Sequence, residues 1–345
     1  MSARAVRSPG RVNLLGEHTD YNDGFVLPVA IDLFTTVRLR PRGDDLVTVE
    51  ASDLGERDAF RLDAIDRTGT WRDYVRGVVR LLRLRSGAEL HIASELPRGA
   101  GLSSSAALET AVARALSDLS PRELALLCRR AENEFVGVSC GIMDQFTVAN
   151  AKAGHALLLD CRDLSFEHIP IPPEIRIMVC DSHVDRRLAD SAYNERRDAC
   201  ARAAAGLGVP ALRDAGLGQL ERLPADLRRV ARHVVTENAR VLEGAAELSA
   251  GNLGAFGALM NESHASLRDD FDVCPPALDT LAAAVRGIPG CYGCRLTGAG
   301  FGGCTVALVD RASVADVRRA AEALGASVYD CASVAGVSDV PTGPG

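Results

Sequence analysis

Thirteen residues from Arg11 to Asp23 carry seven side chains able to hydrogen-bond a small molecule: Arg11, Asn13, Glu17, His18, Asp20, Asn22 and Asp23. Apolar residues flank them, with Val12, Leu14 and Leu15 on one side and Phe25, Val26 and Leu27 on the other. A fold must bury both flanks and leave the polar stretch hydrated or occupied, so the segment reads as a turn anchored at the edge of a core. A cation, carboxylates, an imidazole and amides on such a turn can bracket a polyhydroxylated ligand. A solvated, charged hairpin is the plainer alternative, and the rest of the chain has to decide.

At 345 residues the chain exceeds what one core usually fills, so two domains or one large one are expected. The net charge is −7, from 39 basic and 46 acidic residues, and the basic residues are scattered, which argues against a nucleic-acid surface. Nothing resembles a signal peptide, and no apolar run reaches the about 18 residues of a membrane span. A cytoplasmic protein with no membrane partner is therefore expected. Most of the ten cysteines sit in apolar segments, which favours reduced thiols over disulfides. Cys291-Tyr-Gly-Cys294 is a lone CxxC pair and reads as core packing rather than zinc.

Short β-rich runs lie at Thr35–Leu39 and Leu46–Val49, split by Pro41-Arg-Gly, and residues 71–85 repeat apolar positions at helical spacing. A strand over Glu89–Ala93 leads into Leu96-Pro-Arg-Gly-Ala-Gly-Leu-Ser-Ser-Ser and then a helix through Leu108, Ala111, Val112, Ala115 and Leu119. The next helix announces itself by Ser120, Pro121 and Glu123, a capping box with proline in the first turn. Pro170–Pro173 is the candidate hinge. It divides the chain into residues 1–170 and 171–345. Beyond it are a strand (176–180), helices near 190–205, 225–250 and 252–265, and a terminal strand–helix–strand unit. After about Gly336 a disordered tail is expected from the Ser, Asp, Pro, Thr and Gly content.

Gly99-Ala-Gly-Leu-Ser-Ser-Ser lies between a strand and a helix, where backbone N–H groups and the helix N-terminus favour an anion. Three hydroxyls add donors, and one could ligate Mg²⁺. No Lys-Ser or Lys-Thr follows the glycines, so this is not a Walker loop. A Gly/Ser turn that merely caps a helix is the competing reading. A second cluster, Thr297-Gly-Ala-Gly-Phe-Gly-Gly, contains G-x-G-x-x-G but is followed by β-type residues. That argues against a dinucleotide site and suits a tight loop bordering the phosphates from the other domain.

Together these segments resemble the GHMP kinase superfamily, and the Arg7–Val29 stretch is similar to the galactokinase signature. The Cys140-Gly-Ile-Met-Asp-Gln segment, Ser191-Ala-Tyr-Asn-Glu-Arg-Arg and Ser263-His-Ala-Ser-Leu-Arg-Asp-Asp add to the likeness, which extends over nearly the whole chain. It implies an α+β protein of α/β layers, in the two-domain GHMP kinase fold with the active site in the interdomain cleft. It also implies transfer of the ATP γ-phosphoryl group to the C1 hydroxyl of galactose.

By the same resemblance, Asp144 is the proton acceptor and Arg11 its partner, pairing with its charge and offsetting that of the phosphoryl group. Sugar contacts fall on Glu17, His18, Thr19, Asp20, Gly141 and Tyr193. The ATP loop falls on Gly99, Ala100, Gly101, Leu102, Ser103, Ser104 and Ser105, and Mg²⁺ ligands on Ser105 and Glu132. Mg²⁺ wants hard oxygens and keeps waters, so one carboxylate, one hydroxyl and phosphate oxygens suffice. Each role has a plainer counterpart: a helix cap for Asp144, a solvated helix charge for Glu132, a half-buried aromatic for Tyr193. Ala192 departs from the Glu common beside that tyrosine. Kinases for N-acetylgalactosamine or arabinose, and a catalytically silent sugar- and ATP-binding regulator, are the rival functions; the intact serine loop and Asp144 favour an enzyme.

Overall fold

The computed structural model describes residues 2–138, 140–184 and 189–341, with the backbone alone for 189–191. The chain starts as β1 (Arg4–Asn13), makes a 3₁₀ turn over Asp20–Asn22, and passes through β2 (Phe25–Val26) into β3 (Pro28–Pro41). β1 and β3 pair antiparallel from Arg4↔Leu39 to Asn13↔Pro28, with a register shift at Pro9/Gly10. The polar segment is thus a long excursion between two paired strands. Its apolar flanks Val12, Leu14, Leu15 and Leu27 are fully buried.

The hairpin β4 (Leu46–Ala51) and β5 (Glu56–Arg61) follows, then α1 (Arg72–Leu82) and β6 (Ala88–Ser94), which lies antiparallel to β3 and parallel to β4. Next come α2 (Ser104–Leu116) and α3 (Pro121–Arg130), the latter with the expected capping box: Ser120 accepts from the Glu123 N–H and Glu123 accepts from the Ser120 N–H. α3 does not stop where its 3.6-residue pattern fades. It widens into one π-helical turn (Ala131–Val136) before Gly137 ends it in the left-handed region. π turns of this kind are frequent at functional sites. α4 (Met143–Asn150), β7 (His155–Asp160) and β8 (Phe166–Pro170) complete the first half.

After Pro170–Pro173 the chain forms β9 (Ile175–Asp181), α5 (Ala189–Leu207), α6 (Ala225–Ser249), α7 (Leu253–Asp269), α8 (Pro276–Arg286), β10 (Cys291–Leu296), β11 (Cys304–Asp310), α9 (Val314–Glu322), β12 (Ser327–Cys331) and β13 (Ser338–Val340). The sheets run β13-β1-β3-β6-β4-β5, β10-β11-β9-β12 and β2-β7-β8. One hydrophobic core takes Val12, Leu14 and Val29 from before the proline-rich link and Ile177, Phe256 and Val306 from after it. It therefore supports the polar excursion from both halves.

One expectation is corrected. Residues 337–341 are not a loose tail: Val337 N–H donates to the Val148 carbonyl, and β13 pairs antiparallel to β1 at Ala5, Val6 and Arg7. Asp339 there is bonded by Arg114 and ion-paired with Arg4. Composition misleads because an edge strand takes its order from its partner's unpaired backbone groups. Residues 342–345 lie outside the described residues. The second glycine cluster runs into β11, not a helix, which agrees with the argument against a dinucleotide site. Among the described residues none of the ten cysteines is in a disulfide, and Cys294 of the CxxC pair is buried in β10. Among the described residues no helix is long and apolar enough to cross a membrane.

Candidate active site

A cleft of about 190 Å³ opens where the polar excursion, the π turn and the start of α4 face Tyr193, Gly298 and Ala299. Among the described residues its wall carries four carboxylates: Glu17, Asp20, Glu132 and Asp144. Arg11 on β1 meets Asp144 in the first turn of α4 as a two-pronged pair, Nε to Oδ1 at 2.8 Å and Nη2 to Oδ2 at 2.7 Å. The Ser103 hydroxyl donates to the same Oδ2 at 2.5 Å. Arg11 Nη1 donates to the Gly101 carbonyl at 2.7 Å, so one guanidinium joins the serine loop to α4.

Asp20 sits against Gly141. A Cβ added at position 141 would lie 1.7 Å from Asp20 Oδ2, so only glycine lets the carboxylate occupy this corner. Burial, with the Asp144 charge nearby, pushes the Asp20 carboxyl up to about 6. The folded protein therefore binds this proton more tightly than the unfolded chain. The ionised form is a burden on stability above pH 6, relieved as pH falls toward 4. Asp20→Asn should raise the melting temperature at pH 8 by roughly 2 °C or more, the gain shrinking toward pH 4. Equal shifts at both pH values in thermal melts would contradict this.

His18 adopts a left-handed backbone, φ 62°, and both ring nitrogens are occupied, Nδ1 by the Tyr21 hydroxyl at 2.7 Å and Nε2 by the Ala299 carbonyl at 3.2 Å. Burial holds its pKa down to about 3, so the ring is neutral. Nε2–H then donates to Ala299 and Nδ1 accepts from Tyr21. His18 lines the cleft with both ring nitrogens engaged and its ring against Phe271, Tyr193 and Tyr21.

Thr19 follows His18 in the same turn. It is buried, its hydroxyl faces the Gly16 and Phe25 carbonyls at 2.8 and 2.6 Å, and it does not reach the cleft wall. A hydroxyl has one proton to donate, and here it closes the turn. Glu17 lines the cleft, yet takes hydrogen bonds from Asn13 Nδ2 at 2.8 Å and Gly298 N at 2.7 Å. Burial raises its pKa, while Arg295 and Asn13 oppose the rise.

The Gly99–Ser105 loop adjoins the cleft without lining it. Gly99, Gly101 and Ser103 all have positive φ, at 70°, 81° and 61°, which turns the chain sharply into α2. Ala100 and Leu102 are core side chains, so at these two positions the backbone is what remains for a ligand. Ser104 and Ser105 open α2, whose N-terminus no side chain caps. The late glycine loop borders both the serine loop and the polar excursion. Gly298 passes close to Gly101, but the loop's hydrogen bonds through Thr297, Gly298 and Ala299 go to Asn13, Glu17 and His18.

Glu132 is not a solvated helix charge. The π turn buries it in the cleft wall, where desolvation and Asp144 push its pKa up to about 7. Tyr193 on α5 reaches the cleft beside His18 and Tyr21; the side chain of Ser191 lies outside the described residues. Sequence reasoning missed Tyr21, Cys140, Gln145 and the buried Glu109. The signal for Glu109 was present: one carboxylate among Ala106, Ala107, Thr110 and Ala111 on the inner face of α2. Burial and the surrounding carboxylates push the Cys140 thiol far up, which disqualifies it as a nucleophile.

The family model for the GHMP kinases N terminal domain matches residues 73–152, the galactokinase galactose-binding signature residues 2–41, and the GHMP kinases C terminal model residues 245–327. A galactokinase of Roseiflexus sp. (strain RS-1) is 54% identical, over 97% of this chain and 92% of that protein. One from Chloroflexus aurantiacus (strain ATCC 29366 / DSM 635 / J-10-fl) is 51% identical, over 89% and 84%. The crystal structure of Lactococcus lactis galactokinase complexed with galactose matches with a TM-score of 0.93 at 35% identity, over 98% of this chain and 95% of that one. A mevalonate kinase at 18% identity and TM-score 0.69, matched over 95% of this chain and 98% of that one, shares the fold. On this identity and coverage, with the signature falling on the residues that wall the cleft, the chain belongs to the galactokinase family of GHMP kinases.

Proposed function

We infer that this chain transfers the γ-phosphoryl group of ATP to the C1 hydroxyl of galactose, giving galactose 1-phosphate and ADP. The observation that carries the reading is the Arg11–Asp144–Ser103 constellation on a cleft of carboxylates, in a chain of this family. Carboxylates suit a neutral ligand rich in hydroxyl donors. Asp20, Glu17, Gly141 and Tyr193 are the proposed sugar contacts, with His18 and Tyr21 as an apolar edge.

Phosphoryl transfer asks the protein for positioning and charge stabilisation more than for covalent chemistry. Three of the four lone-pair sites of the Asp144 carboxylate are taken, by Arg11 Nε, Arg11 Nη2 and Ser103 Oγ. The remaining site would accept the C1 hydroxyl, orient it, and receive its proton as the bond to phosphorus forms. Arg11 would then stabilise charge on the transferring group. The phosphates would lie on the Gly99–Ser105 backbone and the N-terminus of α2.

A Mg²⁺ ion fits the residues present. Glu132 is a carboxylate buried in the cleft wall beside Asp144, a place where an added cation is favourable, and Ser105 offers a hydroxyl at the first turn of α2. Bound with ATP, the ion would neutralise phosphate charge. Glu132→Gln should raise the Mg²⁺ requirement by about tenfold or more while galactose binding without nucleotide persists. Overlaying magnesium titrations of the two proteins would remove Glu132 from the metal site. A cytoplasmic location suits this reaction and the free thiols.

The deciding experiment is ADP release across galactose, N-acetylgalactosamine, arabinose, glucose and mevalonate. Galactose should give the highest kcat/KM. A preference for another sugar would keep the kinase and change the substrate; no turnover with any of them would leave a binding protein.

A further inference from the structure

Asp144 and Gln145 are consecutive at the start of α4, and a helix turns successive side chains to different partners. Asp144 faces Arg11 and Ser103. Gln145, which is 1% exposed, meets different partners. Its Nε2 donates to Glu132 Oε2 at 2.5 Å and lies 3.4 Å from Glu109 Oε2. One amide therefore bridges two carboxyl groups, from the π turn and from α2, the helix whose N-terminus carries the serine loop. The sulfur of Cys140 is 3.8 Å from the same nitrogen.

Two carboxyl groups this close are an unstable arrangement by themselves, since like charges in a poorly solvated site repel strongly. An amide NH₂ supplies two donors without adding charge. Glu132 also lines the cleft, and its carboxyl is within hydrogen-bonding reach of Cys140 and Glu109 as well as Gln145. The outer oxygens, Gln145 Oε1 and Glu109 Oε1, are buried with no hydrogen-bond partner among the described residues. Unpaired buried oxygens are costly, and they persist where the arrangement serves a task rather than stability.

We propose that Gln145 is a positioning residue for the metal–nucleotide half of the reaction: its amide clamps Glu132 against Glu109 and so aims one Glu132 oxygen at the divalent cation. The proposal rests on the reading of Glu132 as a metal ligand and adds to it the group that fixes the ligand's orientation. It also makes the first turn of α4 a common mount, holding the proposed proton acceptor by one residue and the proposed metal ligand by the next.

The test uses the full chain and Mn²⁺ as the probe, with Mn²⁺ binding in the presence of ADP followed by electron paramagnetic resonance and Mg²⁺ activation followed by ADP release. Gln145→Met keeps length and removes the donors. It should weaken Mn²⁺ binding and raise the Mg²⁺ requirement by about tenfold or more, the range for removing a hydrogen-bond partner of a metal ligand. Galactose affinity without nucleotide, measured by calorimetry, should stay within about twofold of wild type. The double variant Gln145→Met with Glu109→Gln brings an amide to Glu132 from the opposite partner, which is within hydrogen-bonding reach of it, and should recover most of the metal affinity.

If Gln145→Met does not fold, Gln145→Asn, which retains an amide and withdraws it by one methylene, should shift the metal curves the same way. Metal curves that superimpose on wild type in a folded Met or Asn variant overturn the proposal. So does an equal loss of metal and galactose binding, or a double variant no better than the single one, because either makes Gln145 a packing residue. Glu132→Gln separates the two readings: if it leaves the metal curves unchanged, the assignment of Glu132 itself has failed.

Discussion

Replacing Asp144 by Asn should lower kcat for galactose by at least about a hundredfold, the lower range for losing a general base. The substitution preserves shape and removes both the proton acceptor and the partner of a guanidinium whose side chain is only 6% exposed. An arginine left unpaired in such a place is itself costly, so the variant should also unfold at a lower temperature. ATP affinity should change little, since the serine loop keeps its backbone geometry and Arg11 keeps its bond to the Gly101 carbonyl. Steady-state ADP release, nucleotide titration and a thermal melt on one preparation check all three. Near-wild-type turnover in a folded variant would exclude Asp144 from the chemical step.

Galactose should exceed glucose by on the order of a hundredfold or more in kcat/KM, given two lost hydrogen bonds of roughly 1.5 kcal/mol each. Asp20 and Tyr193 are the groups proposed to meet the axial C4 hydroxyl. Asp20 is held in place from two directions: its Oδ1 accepts the Tyr21 N–H at 3.0 Å, and Oδ2 lies over Gly141. A site so fixed discriminates because its own polar groups go unpaired when the hydroxyl moves. Asp20→Ala should therefore weaken binding and collapse the ratio between the two sugars. The ratio, measured in wild type and variant, is the readout. A wild-type protein that used both sugars equally would lose the galactose assignment and remain a kinase.

Most elements were legible in the sequence because their causes are local. Apolar spacing marked α1 and α2, the Ser120–Glu123 box marked α3, and β-rich runs marked parts of β3 and β4. The polar excursion between Val12 and Val26 was legible as a site because short-range crowding of Arg11, Glu17, His18 and Asp20 needs no tertiary knowledge. What each group then does was not legible. Thr19 and His18 have the right chemistry at the right place, and their hydrogen-bonding capacity goes to Gly16, Phe25, Tyr21 and Ala299. A sequence lists donors and acceptors; it does not say which the backbone will claim.

Arg11 and Asp144 stand 133 positions apart, and Gly298 meets Glu17 across 281. The family likeness suggested the first of these pairs, but no periodicity or spacing encodes either, since both depend on strands and helices being packed from opposite ends of the chain. The same holds for Glu109, Gln145 and Glu132, brought together from α2, α4 and the π turn. The sequence by itself determined most of the secondary elements, the anchored polar turn and the inventory of reactive groups, because those follow from local spacing and side-chain chemistry. Only the tertiary structure decided which groups stay open to a ligand, which are spent on the backbone, and which carboxyls are driven toward neutral pH, because burial and long-range pairing set all three.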